Sequence, residues 1–163
     1  MLAPPRLLEP AEPPQPERPW YELPDDFDWA TWELLEEDDV GQGLMQEWVI
    51  FVLLGALRLW VREHRPGWFV GSDAFVSWYQ PRPLVRVSPD VYVLDYIPPP
   101  VSSFLLWKAG LRPPRIAVEV VSDETWKKDY HDNPLKYDRI GVDELVVIDP
   151  GAGSVGVRVP LQH

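Results

Sequence analysis

The sequence predicts an α/β or α+β fold in which helices pack around a mixed β-sheet, and three observations carry that prediction. Residues 44 to 64 form one long apolar stretch of helical length. Residues 68 to 97 then alternate apolar and polar side chains and are rich in Val, Tyr and Phe. Two short apolar runs, RIAVEVVS at 115 to 122 and ELVVID at 144 to 149, have the β-branched, two-faced character of central strands. With 163 residues, 45% of them apolar and nine of them Trp, the chain can fill the core of one compact domain.

Residues 1 to 24 hold eight of the 20 Pro and show almost no apolar periodicity, so they read as an extended or disordered arm. Asp28 can cap a short helix running to about Glu37, after which EEDDVGQG reads as a loop. The helix from about Leu44 to His64 is apolar on most faces, which predicts burial, and Pro66-Gly67 ends it. WFVGSDAFVSWY and LVRVSPDVYVLDYI follow as half-buried strands. PPPVSSFLLWKAGLRPP, residues 98 to 114, is bracketed by Pro and is expected as a loop with one helical turn. After the RIAVEVVS strand, Asn133-Pro134 reads as an N-cap followed by Pro at the first helical position, and Gly141 as the stop of a helix over 134 to 140. ELVVID is a buried strand, and DPGAGSVGVRV closes as a turn and a final strand. GAGSVG at 151 to 156 matches the spacing of a dinucleotide-binding glycine loop, but that loop must open a helix and only seven residues follow it, so a hairpin turn is the better reading.

The absence of Cys excludes disulfides and thiolate metal sites, and any metal must be held by oxygen or by the three His. His64, His131 and His163 show no ligand spacing. The N-terminus lacks the basic start and continuous apolar stretch of a secretory signal, and the longest apolar run, WVIFVLLGAL at 48 to 57, is short of the roughly 20 residues a bilayer needs. The expectation is a cytoplasmic protein with no membrane partner. The net charge of -11 argues at first against nucleic acid, whose phosphates are bound by Lys and Arg. Its distribution reverses that inference: residues 1 to 40 carry 12 acidic and 2 basic side chains, leaving 14 acidic and 13 basic for residues 41 to 163. The chain therefore divides into an acidic, Pro-rich N-terminal arm over 1 to 40 and a nearly neutral domain over 41 to 163. The arm is expected to fold over basic surface and weaken non-specific nucleic-acid binding.

Three polar positions carry the chemistry. Glu119 interrupts the apolar run AVEVV, where an unpaired charge would cost several kcal/mol. Asp90 begins a strand directly after Pro89. If the two strands are neighbours, these carboxylates converge, and two anions that close repel unless a cation lies between them. Hard oxygen ligands without Cys favour Mg²⁺ or Mn²⁺, with the Val120 carbonyl as a third donor. Lys136, in the first turn of its helix, is disfavoured there by the dipole unless both face an anion such as a phosphate. Metal plus Lys around a phosphate supplies the parts for phosphodiester hydrolysis by water. The structural alternatives stand beside these roles: Asp90 as a strand-edge residue, Glu119 in an ion pair with Arg115 or Lys136, Lys136 as a surface Lys, and Asp129 as metal ligand, turn cap or the group that orients Lys136. Lys127 and Lys128 are either phosphate contacts or a solvated face. The Trp residues can stack on bases, but their spacing favours core.

Five ordered blocks, PD at 89 to 90, VEVVS at 118 to 122, Trp126 to Asp129, KY at 136 to 137 and GVDELVVIDP at 141 to 150, resemble the Uma-type family of putative restriction endonucleases within the PD-(D/E)XK nuclease superfamily. The resemblance spans roughly residues 44 to 155. It implies a restriction-endonuclease-like core, DNA as substrate, Mg²⁺ or Mn²⁺ as cofactor, and Asp90 and Glu119 as metal ligands. It also brings a homodimer into view, since two cuts need two sites. The chain departs from the pattern: Val121 stands where Lys is usual, Asn133 stands where a Lys on the following helix commonly replaces it, and Lys136 is the nearest substitute. The superfamily's frequent acid on the first core helix aligns loosely with Glu47. The rival readings are a catalytically inactive binding or scaffold protein of the same fold, and a metal-dependent hydrolase of a smaller phosphate ester.

Overall fold

The computed structural model describes residues 27–35, 43–122, 128–151 and 154–158. Helix α1 (Leu44–His64) leads into β1 (Phe69–Gly71), β2 (Phe75–Ser77), β3 (Arg86–Val87), β4 (Val91–Leu94), β5 (Ser103–Leu105) and β6 (Ile116–Val120). Helix α2 (Asn133–Ile140), β7 (Glu144–Asp149) and β8 (Ser154–Arg158) complete the order. Five strands form the main sheet in the order β1-β4-β6-β7-β8, with β6 and β7 parallel and the other pairs antiparallel. A smaller sheet, β3-β2-β5, joins β2 and β5 in parallel. The α/β class with a mixed sheet flanked by helices is the class expected.

The two-residue period of the strands sorts the core into two halves. Val91 and Val93 of β4, Val118 and Val120 of β6 and Val70 of β1 pack with Ile50 and Val61 of α1. Tyr92, Leu94 and Ala117 face the other way, into a cluster with Trp78, Val76, Phe104, Tyr137 and Ile140, beneath α2 and the smaller sheet. β6 is buried on both faces, as its unbroken apolar run requires.

Several local expectations differ. The alternating stretch from Trp68 to Tyr79 splits into β1 and β2, which belong to different sheets; Asp73, with φ of 51°, turns the chain between them. LVRVSPDVYVLDYI divides likewise into β3 and β4, and the loop over 98 to 114 contains β5. The helix expected from Asp28 is a single 3-10 turn, Trp29–Trp32, capped by the Asp28 side chain on the Ala30 N–H at 2.9 Å; Glu36 and Glu37, in the remainder of the expected helix, lie outside the described residues. Glu33 then bridges to Val85, and Trp32, 4% exposed, belongs to the main core. Lastly, α1 is not buried: only Gln46, Ile50 and Val61 are, while Leu44, Trp48, Phe51 and Leu59 stand in solvent. By length and composition α1 is long and apolar enough to cross a bilayer, which the ten-residue run alone did not indicate.

α2 ends as its sequence dictates, on Gly141 at φ 85°, whose N–H bonds back to Tyr137 and Asp138. Its start differs: a π-helical turn, Lys128–Asp132, precedes it, and Asn133 is inside the helix with its side chain committed elsewhere. β7 and β8 pair antiparallel with Asp149 opposite Ser154, while Ala152 and Gly153 of the glycine-rich stretch lie outside the described residues.

Candidate active site

The antiparallel register of β4 and β6 sets Val91 opposite Val118. Asp90 stands just before β4 and Glu119 just after Val118 in β6, so this register brings the two residues to the same end of the sheet. Sequence positions 29 apart are thereby made neighbours. The Asp90 Oδ2 accepts the Val120 N–H at 2.7 Å, tying the two strand ends together. Glu119 is 4% exposed, and its Oε1 accepts the Tyr137 hydroxyl at 2.7 Å and the Asn133 amide at 2.9 Å. The same Asn133 amide reaches Asp129 at 3.1 Å, so one side chain bridges two buried carboxyls. Asn133 and Tyr137 are four residues apart on α2, which stacks them on one helical face above Glu119.

Gln46, in the first turn of α1, closes the site from the other layer. Its Nε2 donates to the Val120 carbonyl at 2.9 Å and lies 3.5 Å from Asp90 Oδ2. Glu47, the loose alignment, is exposed one position later. The signal for Gln46 was present in the pattern Gln46, Ile50, Leu57, Val61, the stripe by which α1 meets the sheet. Tyr137 was visible only as part of the KY block.

Electrostatics follow from burial. Loss of water, with the Asp129 charge adding to it, pushes the Asp90 carboxyl up to about 6 against the Val120 and Gln46 hydrogen bonds, which act to lower it. Burial first, then the Asp90 and Asp129 charges, hold Glu119 well above the usual carboxylate range. Burial and the adjacent Glu119 raise the Tyr137 hydroxyl well above its ordinary value. Desolvated acids that raise one another in this way are characteristic of functional sites.

The structure brings Asp90, Glu119, Val120 and Asp129 together, but it directs Lys136 elsewhere. The Lys136 Nζ is buried, donates to the Trp32 carbonyl at 3.2 Å and lies 5.9 Å from the Trp32 ring centroid. Burial lowers it to about 8. Arg115, the other suggested partner of Glu119, pairs with Asp143 at 2.6 Å. Asp129 accepts from Asn133, the residue at the position where a Lys is usual. Lys128, in the π-helical turn, is the ammonium whose charge favours ionisation of both Asp90 and Glu119. Lys127 lies outside the described residues. His64 bonds the Trp60 carbonyl at 2.9 Å on the exposed side of α1. Among the described residues, no group of three His, Asp or Glu side chains is arranged to hold a metal ion.

A family model described as putative restriction endonuclease, Uma2, matches residues 31–160. The chain belongs to the Uma2 family. The crystal structure of a putative nuclease of the DUF820 group from Anabaena variabilis ATCC 29413 is similar to this Uma2 chain with a TM-score of 0.53 at 15% identity. The match covers 76% of this chain and 66% of that one, just under two thirds of its length, and at that identity it establishes a shared fold. No curated protein matches the sequence.

Proposed function

We propose that this Uma2 protein is a metal-dependent endonuclease that hydrolyses DNA phosphodiester bonds at the site formed by Asp90 and Glu119. The observation that carries the reading is the meeting of these two desolvated carboxyls, one just before β4 and one in β6, with the backbone of Val120 between Asp90 and Gln46 beside them. That donor set, all oxygen, suits Mg²⁺ or Mn²⁺. The fit is chemical: two acids and one carbonyl leave the remaining positions to water and phosphate, as Mg²⁺ sites commonly do. When bound, the ion supplies polarisation of a phosphoryl oxygen and a more acidic water.

The chain's own residues prepare the site. Tyr137 and Asn133 fix one oxygen of Glu119, leaving Oε2 to face a ligand. Gln46 orients the Val120 carbonyl and restrains Asp90 from the opposite layer. Lys128, partly exposed at the edge of the cluster, takes the phosphate-facing role expected of Lys136. Lys136 instead anchors α2 to the N-terminal turn.

The test is nicking of supercoiled plasmid in Mg²⁺ or Mn²⁺ by wild type and by Glu119→Gln, a near-isosteric change that removes the charge. The expected result is a loss of about 10²-fold or more, the scale of removing one electrostatic stabiliser. Nicking that survives both the substitution and EDTA would sink the proposal. Single-stranded DNA and small phosphodiesters assayed in parallel separate a DNA nuclease from a hydrolase of smaller esters. The amide of Asn133, at the position where the resemblance expects a Lys, and that of Gln46, which approaches Asp90 where Glu47 does not, favour a second reading as an inactive binding protein. That reading requires wild type to bind DNA without cutting it.

A further inference from the structure

We propose that α1 is a self-association surface, and that two copies of this chain pair their α1 helices antiparallel with the crossing at Gly55. The outward stripe consists of Leu44, Trp48, Phe51, Val52, Gly55 and Leu59, spaced so that all fall on one side of the helix. Leu44 is 79% exposed, Phe51 71% and Trp48 65%, and Met45 extends the patch at its border. At about 200 Å² for a large apolar side chain, the exposed part of these residues comes to roughly 750 Å². A typical monomer's largest patch is about 300 to 600 Å², and a standard interface takes about 800 Å² from each partner.

Three features select a second copy as occupant. The stripe is self-complementary, as a two-fold interface requires. Gly55 sits at its middle, and a side chain built there would meet nothing within 4 Å, so the opposing backbone can approach most closely at that point. Charge then sets the direction. Glu47 lies eight residues before Gly55 and Arg62 seven after it. Antiparallel pairing lays Glu47 beside the partner's Arg62, twice over by symmetry, whereas parallel pairing would set like charges together. A bilayer is the poorer occupant: Glu47, Arg58 and Arg62 border the stripe, and a net charge of -11 opposes adsorption to anionic lipid.

The chain has no Cys, so single introduced cysteines report the geometry in the full-length protein. Under mild oxidation, Gly55→Cys should give a disulfide-linked dimer, because this position meets itself across the axis. Leu44→Cys, at the far end of the stripe, should stay uncrosslinked. Equal crosslinking through both positions, or through neither, overturns the antiparallel pairing. In sedimentation equilibrium the wild type should be dimeric at about 50 µM; Glu47→Arg should weaken association about ten-fold or more, and Glu47→Arg with Arg62→Glu should restore it. A monomeric wild type at that concentration overturns the proposal, as does a monomer that co-sediments with vesicles of mixed neutral and anionic phospholipid.

Discussion

The buried Lys136 offers the sharpest physical test of the arrangement around α2. Burial lowers its ammonium from an ordinary value of 10.5 to about 8. Between those values the unfolded chain binds more protons than the native one, so stability must rise with pH. The ammonium costs about 3 kcal/mol at pH 7, taking 1.36 kcal/mol for each ten-fold loss of proton affinity. Integrating the same difference from pH 7 to 9.5 gives a gain of about 2 kcal/mol as the native group loses its proton first. Lys136→Met keeps the length and apolar stem of the side chain and removes the charge. It leaves the Trp32 carbonyl without this donor, a penalty of about 1 to 2 kcal/mol, so the variant should be more stable than wild type at pH 7 by about 1 to 2 kcal/mol. Urea denaturation at pH 7, 8, 9 and 9.5 checks both quantities. Wild type should gain stability across the series while Lys136→Met should lack that increment. Parallel curves for the two proteins would mean that the ammonium is solvated, and would refute the placement against Trp32.

Two further expectations concern the site and the sheet. With Asp90 titrating at about 6, protons compete with a metal there. If the proposed site holds Mn²⁺, this group alone should tighten binding about ten-fold from pH 5 to 7, and Glu119 should act in the same direction. Calorimetric titration in buffers of different ionisation enthalpy should detect about half a proton or more released at pH 6, and release near zero would count against Asp90 as a ligand. In β1, a Cβ at Gly71 would collide with the ring of Tyr92. Gly71→Ala should therefore cost about 1 to 3 kcal/mol in urea unfolding, and an unchanged midpoint would contradict the packing of β1 on β4.

The parts of the fold that were legible in the sequence are those set by local pattern. The AVEVV run made β6 a central strand, Gly141 ended α2, and the isolation of Glu119 in that run marked it as needing partners. Asp90 came from the family resemblance and from its position after Pro89, and the β4–β6 register supplies the reason. What was not legible depends on distant chain. Alternation does not reveal that β1 and β2 enter different sheets, because the separation rests on one turn at Asp73. Apolar composition predicted a buried α1, yet burial is set by how much sheet lies under a helix, and only one stripe of α1 finds any. β5 has three residues and pairs with β2, 28 positions earlier, too short for a period to emerge. The acceptor of Lys136 is a backbone carbonyl 104 residues away, which no side-chain pattern records.

That long-range bond has a consequence for how the molecule holds together. The backbone bonds of α2 are local, but its Lys136 ammonium meets the Trp32 carbonyl only when the Trp29–Trp32 turn docks from a distant part of the chain. Without that turn the ammonium would be held by water instead, and one cover over α2 would be missing. Docking of this turn is therefore expected to couple the N-terminal segment to the stability of α2 over the carboxylate cluster. Amide exchange at Glu33, whose N–H bonds the Ala30 carbonyl, should slow together with exchange along α2.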